Sequence, residues 1–302
     1  MSKEVFFAVL AGGALGLVIA YGAWRTNAAL QKKDNSAISV TASSTPSSAP
    51  TEKFQIALAK PLDMSVLTSG TTTVSGITRA NSYVVISGES SDDISTASDS
   101  GTFSRDIDLT AGSNQLKAFA FDADGSEVDA KATVVYSGQF QTPQGIFYMG
   151  TVTDINNSTI QIKNTASDIQ QITPSKDGVT YVKTTGDNVK EVKSTDLAIG
   201  DFIIGMGTKD GNNVLVATRI LISDPVKPTT RKAFFGTVTD NATGKITLKN
   251  NKSGESVTVT PSDSIQITGV NRFSQIKTDT KIIAVGELKD GNIEARTVQV
   301  VK

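Results

Sequence analysis

The sequence predicts an all-β ectodomain, a β-sandwich followed by two tandem small β-barrels, carried on one N-terminal transmembrane helix. Three observations lead there. Residues 5–24 form a long apolar run with no charged side chain. From Phe54 onward, short alternating runs are broken roughly every eight to twelve residues by Gly, Asn, Asp and Ser. The C-terminal half then spells the same order of strand and turn residues twice.

The apolar run reads VFFAVLAGGALGLVIAYGAW, bounded by Lys3 and Glu4 before and Arg25 after. A helix of about twenty residues spans roughly 30 Å, the hydrocarbon thickness of a bilayer. A soluble amphipathic helix would show a polar face, and this stretch has none. Residues 1–27 are therefore read as a membrane anchor whose partner is the lipid bilayer through residues 5–24. A cleavable signal peptide is the alternative: Ala20 and Gly22 form a small-x-small site, but the charged leader is thin and the apolar run is long. Ala8, Gly12, Gly16 and Ala20 recur every fourth residue, a small-residue stripe along which two such helices can pack, so self-association is an expected partner mode. Arg25, Lys32 and Lys33 follow the span and Lys3 precedes it, which by charge alone keeps the C-terminal flank inside. Long domains cross regardless of that bias, and a Ser/Thr/Pro spacer leading into β-domains points outward. The expected location is the cell membrane, single-pass, with the body extracytoplasmic.

Composition narrows the chemistry. The 302 residues carry 29 basic and 30 acidic side chains, a net charge of −1, which offers no long-range pull on nucleic acid. Hydrophobic residues are 38 % and aromatics 6 %, a modest supply suited to several small β-cores. Cysteine and histidine are both absent, which excludes disulfides, Cys/His zinc sites, Cys nucleophiles and His-based triads. No cofactor, metal or catalytic residue is expected. General acid/base chemistry is left to carboxylates, and Asp92, Asp93 and Asp99 make the one acid-rich patch, read as a solvated, Ser-laden loop.

Residues 28–53 are a polar linker, richest in Ser, Thr and Pro over 36–51. Such a stretch cannot bury enough apolar surface to offset its ordering entropy, and it gives roughly 20–30 Å of reach.

Residues 54–137 alternate like a sandwich of about seven strands. Val85, the DSGTF stretch at 99–103, LTAGSN at 109–114, AFAFDADG at 118–125 and VVY at 134–136 mark strands and turns in order, after Pro61 and the VSG at 74–76. This order resembles bacterial immunoglobulin-like domains, most closely the glucodextranase domain-B type of cell-surface proteins. The resemblance implies an Ig-like sandwich in an extracellular setting and brings no catalytic residue. Asp122 and Asp124 echo half a calcium loop, but the third acid and distal Glu are missing, and a hairpin turn explains Asp124 and Gly125 equally well.

After a linker at 138–145 come the two repeats, 146–223 and 232–302, joined by a second linker at 224–231. GTVTD at 150–154 answers GTVTD at 236–240; TIQIKN at 159–164 answers KITLKN at 245–250. FIIGMG at 202–207 answers KIIAVG at 281–286, KDGN at 209–212 answers KDGN at 289–292, and ATRILI at 217–222 answers ARTVQV at 295–300. The extra residues of the first copy, around 176–193, are placed in a loop. With so few short strands, closure into a small barrel is the economical way to remove exposed edges. The order resembles a bacterial module of unknown function, the DUF5666 kind, which implies an OB-like barrel; Gly200 and Asp201 keep its turn, while Asp279 and Thr280 replace it in the second copy.

OB-like barrels bind sugars or single strands through stacked aromatics. Phe147 and Tyr148 in the first copy, Phe234 and Phe235 in the second, and Tyr83 in the sandwich are the candidate stackers, set against a plain core role. The functional expectation is a non-enzymatic surface protein presenting β-modules to an envelope glycan or protein partner. A carbohydrate-binding accessory protein is the alternative, and an OB-like single-strand nucleic-acid binder the lesser one.

Overall fold

Runs of Val, Ile, Thr and Phe cut by turn residues pair into strands throughout the computed structural model, which describes residues 53–301 apart from 143, 186 and 187. The predicted span, its Ala8/Gly12/Gly16/Ala20 stripe and the Ser/Thr/Pro linker lie outside the described residues. No helix among the described residues is long and apolar enough to cross a membrane.

The N-terminal part of the body contains eight strands: β1 (Ala57–Lys60), β2 (Val66–Leu67), β3 (Thr71–Ile77), β4 (Tyr83–Ser87), β5 (Asp92–Thr96), β6 (Thr102–Asp108), β7 (Gly112–Phe121) and β8 (Glu127–Tyr136). They form a three-stranded sheet, β1-β3-β6, and a five-stranded sheet, β2-β8-β7-β4-β5. Val74, Phe103 and Ile107 from the first meet Val84, Ile86, Leu116, Ala118 and Val134 from the second in one buried cluster. Two sheets pressed together over such a layer are a sandwich.

The first repeat forms β9 (Ile146–Asn156), β10 (Thr159–Lys163), β11 (Ile169–Pro174), β12 (Thr180–Thr185), β13 (Asn188–Val192), β14 (Phe202–Lys209) and β15 (Leu215–Ser223). They run in the order β11-β10-β9-β14-β15-β12-β13, and β11 also pairs with β15, so five of the strands close into a ring. The second repeat closes outright: β16 (Arg231–Ala242), β17 (Lys245–Lys249), β18 (Ser256–Thr268), β19 (Lys281–Lys289) and β20 (Asn292–Val301) form a barrel in the order β16-β17-β18-β20-β19. The long β18 pairs with β20 along two stretches, where the first copy uses the separate strands β11 and β12 against β15.

The extra residues of the first copy are not a loop. They build the antiparallel hairpin β12–β13, with Tyr181 opposite Val192 and Thr184 opposite Val189. Tyr181 fills the first core and Val182 the outer face, so at this point the strand is covered on both sides.

Both repeats bulge at the same place. The register shifts between Met206 and Gly207 in the first copy and between Val285 and Gly286 in the second. There the facing strand comes so close that a Cβ on Gly207 would lie 1.9 Å from the Val216 carbonyl oxygen, and one on Gly286 would lie 1.9 Å from that of Glu294. Backbone cannot yield as a side-chain tip can. Gly286→Ala is expected to destabilise the body by about 1–3 kcal/mol through this overlap. Gly211→Ala, at a glycine whose Cβ would meet nothing within 4 Å, should stay within about 0.5 kcal/mol. Urea unfolding of the two variants measures the contrast.

Candidate functional site: the junctions between the sandwich and its two barrels

The five-stranded sheet has a second buried face. Val84 and Ile86 of β4 point into the sandwich, whereas Val85 between them joins Phe119 and Phe121 of β7 in a cluster with Ala233, Phe235, Ile283 and Val285 of the second barrel. On β8, Val134 points inward while Val135, with Val66 of β2, packs against Phe147, Ile204, Met206 and Leu221 of the first barrel. Both barrels present the face formed by their first strand and its long antiparallel neighbour, β9 with β14 and β16 with β19. Both therefore rest on one sheet.

The candidate stackers are consumed in these contacts. Tyr148 and Phe234, 4 % and 8 % exposed, lie inside their barrels. Phe147 and Phe235, 0 % and 3 % exposed, lie under the sandwich. Tyr83 is half-buried, its ring 5.6 Å from that of Phe235. Alternation along β9 and β16 sends neighbours to opposite faces, and here both faces are covered.

Of the acid-rich patch, Asp99 is exposed in a turn, but the other two are not in a solvated loop. Asp92 and Asp93 are in strand β5, and the Asp92 side chain is only 1 % exposed. Arg296 of the second barrel grips it with Nη2 2.5 Å from Oδ1 and Nε 3.1 Å from Oδ2, and Ser87 donates to Oδ1 at 2.6 Å. The same guanidinium donates to the carbonyls of Gly88 and Glu89, each at 2.9 Å. A bidentate fork with its remaining donors on carbonyls is the geometry in which a buried pair recovers its desolvation. Arg231, 2 % exposed, supplies a second lock: its Nη1 lies 2.7 Å from Glu89 Oε2 and its Nη2 bonds the Gln115 carbonyl. Gln115 in turn donates to the Lys227 carbonyl at 2.7 Å, and Lys117 to that of Arg231 at 2.9 Å. Burial pulls the Lys117 ammonium below its ordinary value.

The half calcium loop is occupied by protein. Asp122 pairs with Arg79 at 2.6 Å and accepts the Ser126 amide at 3.0 Å, while Asp124 holds Lys252 of the second barrel at 2.8 Å. Burial raises the Asp122 carboxyl; the hydrogen bond with Asp122, and then Lys252, hold Asp124 well below the usual range. Asn250 completes this contact by donating to the Gly125 carbonyl at 2.9 Å.

The junction with the first barrel is different in kind. Backbone bonds lead into it, Val66 N–H to the Gly145 carbonyl at 2.8 Å and Phe147 N–H to that of Met64 at 3.2 Å. Beside them a cleft of about 510 Å³ stays open, between the sandwich at Ser113 and Val135 to Gln139 and the sheet face carrying Val182, Ile204, Met206, Arg219 and Leu221. Val189 and Thr184 of the hairpin form one wall. Arg219 is half-buried and makes no ion pair or hydrogen bond among the described residues. Burial lowers its guanidinium, with Glu191 opposing from farther off. Asp224 is exposed at the rim.

Sequence reasoning missed Glu89, Gln115, Arg231 and Arg296, and took Asp92 as solvent-facing. The available signal was the length of unbroken apolar runs: VVI at 84–86, AFAF at 118–121 and IIAV at 282–285 are too continuous for strands with a wet face.

No protein-family description matches the chain, and no curated protein matches it. Among solved structures, one from work on host cell surface retention of a 1.5-MDa bacterial ice-binding adhesin shares 12 % identity over 82 % of this chain and 96 % of that one, with a TM-score of 0.20. Another, a Ca²⁺-stabilised adhesin with which an Antarctic bacterium binds ice, shares 14 % identity over 82 % of this chain and 72 % of that one, with a TM-score of 0.19. Both neighbours are bacterial adhesins. At these scores the chains do not superpose as wholes, and the ligands of neither transfer to this protein.

Arg296→Met strands the buried Asp92 carboxylate and is expected to destabilise the body by about 3–5 kcal/mol. Adding Asp92→Asn should recover more than half of that loss, a coupling of the size neighbouring charges show. Calorimetric unfolding of the single and double variants reads both values.

Proposed function

We propose that this chain is a non-enzymatic, single-pass surface protein, anchored through residues 5–24, whose Ig-like sandwich and two OB-like barrels stand outside the membrane on a Ser/Thr/Pro stalk. The observation that carries the reading is the use made of the buried carboxylates and guanidiniums. With no His or Cys in the chain, acid/base chemistry would fall to carboxylates. Asp92 of the acid-rich patch and the nearby Glu89 are each held by an arginine of the second barrel, and Asp93 by Arg105 within the sandwich. That polarity serves to hold the sandwich and the second barrel in one register, a use suited to a display or spacer protein. The long apolar run, the polar spacer and the resemblance of the sandwich to bacterial surface domains support the placement at the envelope.

The glycan-binding alternative has little to rest on, since Tyr148, Phe234 and Phe235 are all buried. No exposed stacking row involves them.

Protease shaving of intact cells tests the proposal. Added protease should release a fragment containing the body and leave an anchor fragment in the membrane, with cleavage expected in the Ser/Thr/Pro-rich stretch at 28–53. Complete protection in intact cells, with cleavage only after lysis, places the body inside and ends the reading; a body found free in the medium without residues 1–27 ends the anchoring part.

A further inference from the structure

We infer that the cleft between the sandwich and the first barrel is a ligand site for a small amphiphile, an apolar body with one acidic head group, the head held by Arg219. The inference goes beyond display, and three observations carry it.

The first is the comparison of the two junctions. Equivalent outer faces of a duplicated module meet the same sheet, yet the second is sealed by Phe235, Arg231 and Arg296, while the first leaves about 510 Å³ open. That volume falls within the roughly 300–1,000 Å³ of small-molecule sites, which favour junctions between domains.

The second is charge. Each guanidinium at the sealed junction faces a carboxylate, but Arg219 in the open one has none within ion-pair distance among the described residues. Glu191 acts on it only from farther away, and Asp224 sits out at the rim. A half-buried arginine that lines the cleft beside Met206, Leu221 and Ile204, and also borders a smaller polar cleft at Thr142 and Asp177, is complementary to an anion that brings its own apolar tail.

The third is the hairpin. β13 has no counterpart strand in the second copy, and Val189, which it contributes to the cleft wall, is 59 % exposed. The residues that distinguish the first copy thus supply one wall of the cavity, through Val182, Thr184 and Val189.

Methyl NMR of the full chain in lipid nanodiscs tests this, with ¹³C-methyl methionine as the reporter. Of the four methionines, Met206 lines the cleft. Titration with octanoate or octyl phosphate should shift the Met206 signal saturably, and which of the two saturates at lower concentration identifies the head group. 1-Octanol at equal free concentration should shift it at least tenfold less. Arg219→Gln should weaken the anion response at least tenfold, and Arg219→Lys should restore part of it, with the Met64 and Met149 signals unmoved in the ligand-free variants. Absence of a saturable Met206 shift with either anion overturns the inference. So does an equal response to octanol, or an Arg219→Gln protein that responds like the parent with its other methyl signals intact.

Discussion

Everything in the body depends on burying both faces of one five-stranded sheet. Its inner face closes the sandwich over Val84, Ile86, Leu116 and Val134; its outer face carries Val85, Phe119, Phe121 and Val135. Left wet, that outer face would be a contiguous patch of large apolar side chains, which soluble surfaces seldom tolerate. The barrels are its cover. Each can serve because its own outer face, Phe147, Ile204 and Met206 in one and Phe235, Ile283 and Val285 in the other, is apolar in turn. The segments between the modules run into hydrogen-bonded junctions, as Lys227 does with Gln115 and Gly145 with Val66.

How such a junction is fixed in orientation is a separate matter from how it is made stable. Apolar burial is non-directional. The two forks, Arg296 on Asp92 and Arg231 on Glu89, require one register between β5 and the second barrel, since a shift of an ångström would leave a carboxylate or guanidinium desolvated without its partner. Arg231 shows the tension in the arrangement, for its Nε has no partner among the described residues. The lock thus fixes how the second barrel is set on the sandwich, which apolar burial alone would leave open.

The all-β class was legible because it depends on local signals: turn residues at regular intervals, period-two alternation, and a repeat whose GTVTD and KDGN landmarks recur in order. The bulge glycines also left a trace, since Gly207 and Gly286 occupy the same place in the two copies. What could not be read locally was which apolar side chains face a neighbour rather than a core. Phe147 and Phe235 look the same in sequence whether they stack on a ligand or lie beneath a sheet. Asp92 and Asp93 sit among serines, which argues for solvent, and only the approach of Arg296 from some two hundred positions away, Asp92 in β5 and Arg296 in β20, converts one of them into a buried ion. The hairpin β12–β13 was obscured for another reason. Its Lys, Asp and Thr content reads as loop, and its strand character comes from pairing with β15.

Duplication followed by unequal use accounts for the asymmetry of the body. Two copies of one module began with the same outer face and were set on one sheet that could take both. The second has arginines at 231 and 296 whose side chains reach the sandwich; at the matching positions the first has Gly145 and Thr218, whose side chains do not. Its arginine stands one residue later, at 219, on the face that Met206 and Leu221 share, beside the hairpin β12–β13. At this bulge the displacement keeps the side chain on the sandwich-facing side, for in the second copy Arg296 and its neighbour Thr297 both reach Asp92. In this protein it separates an arginine that closes a junction from one that lines an open cleft.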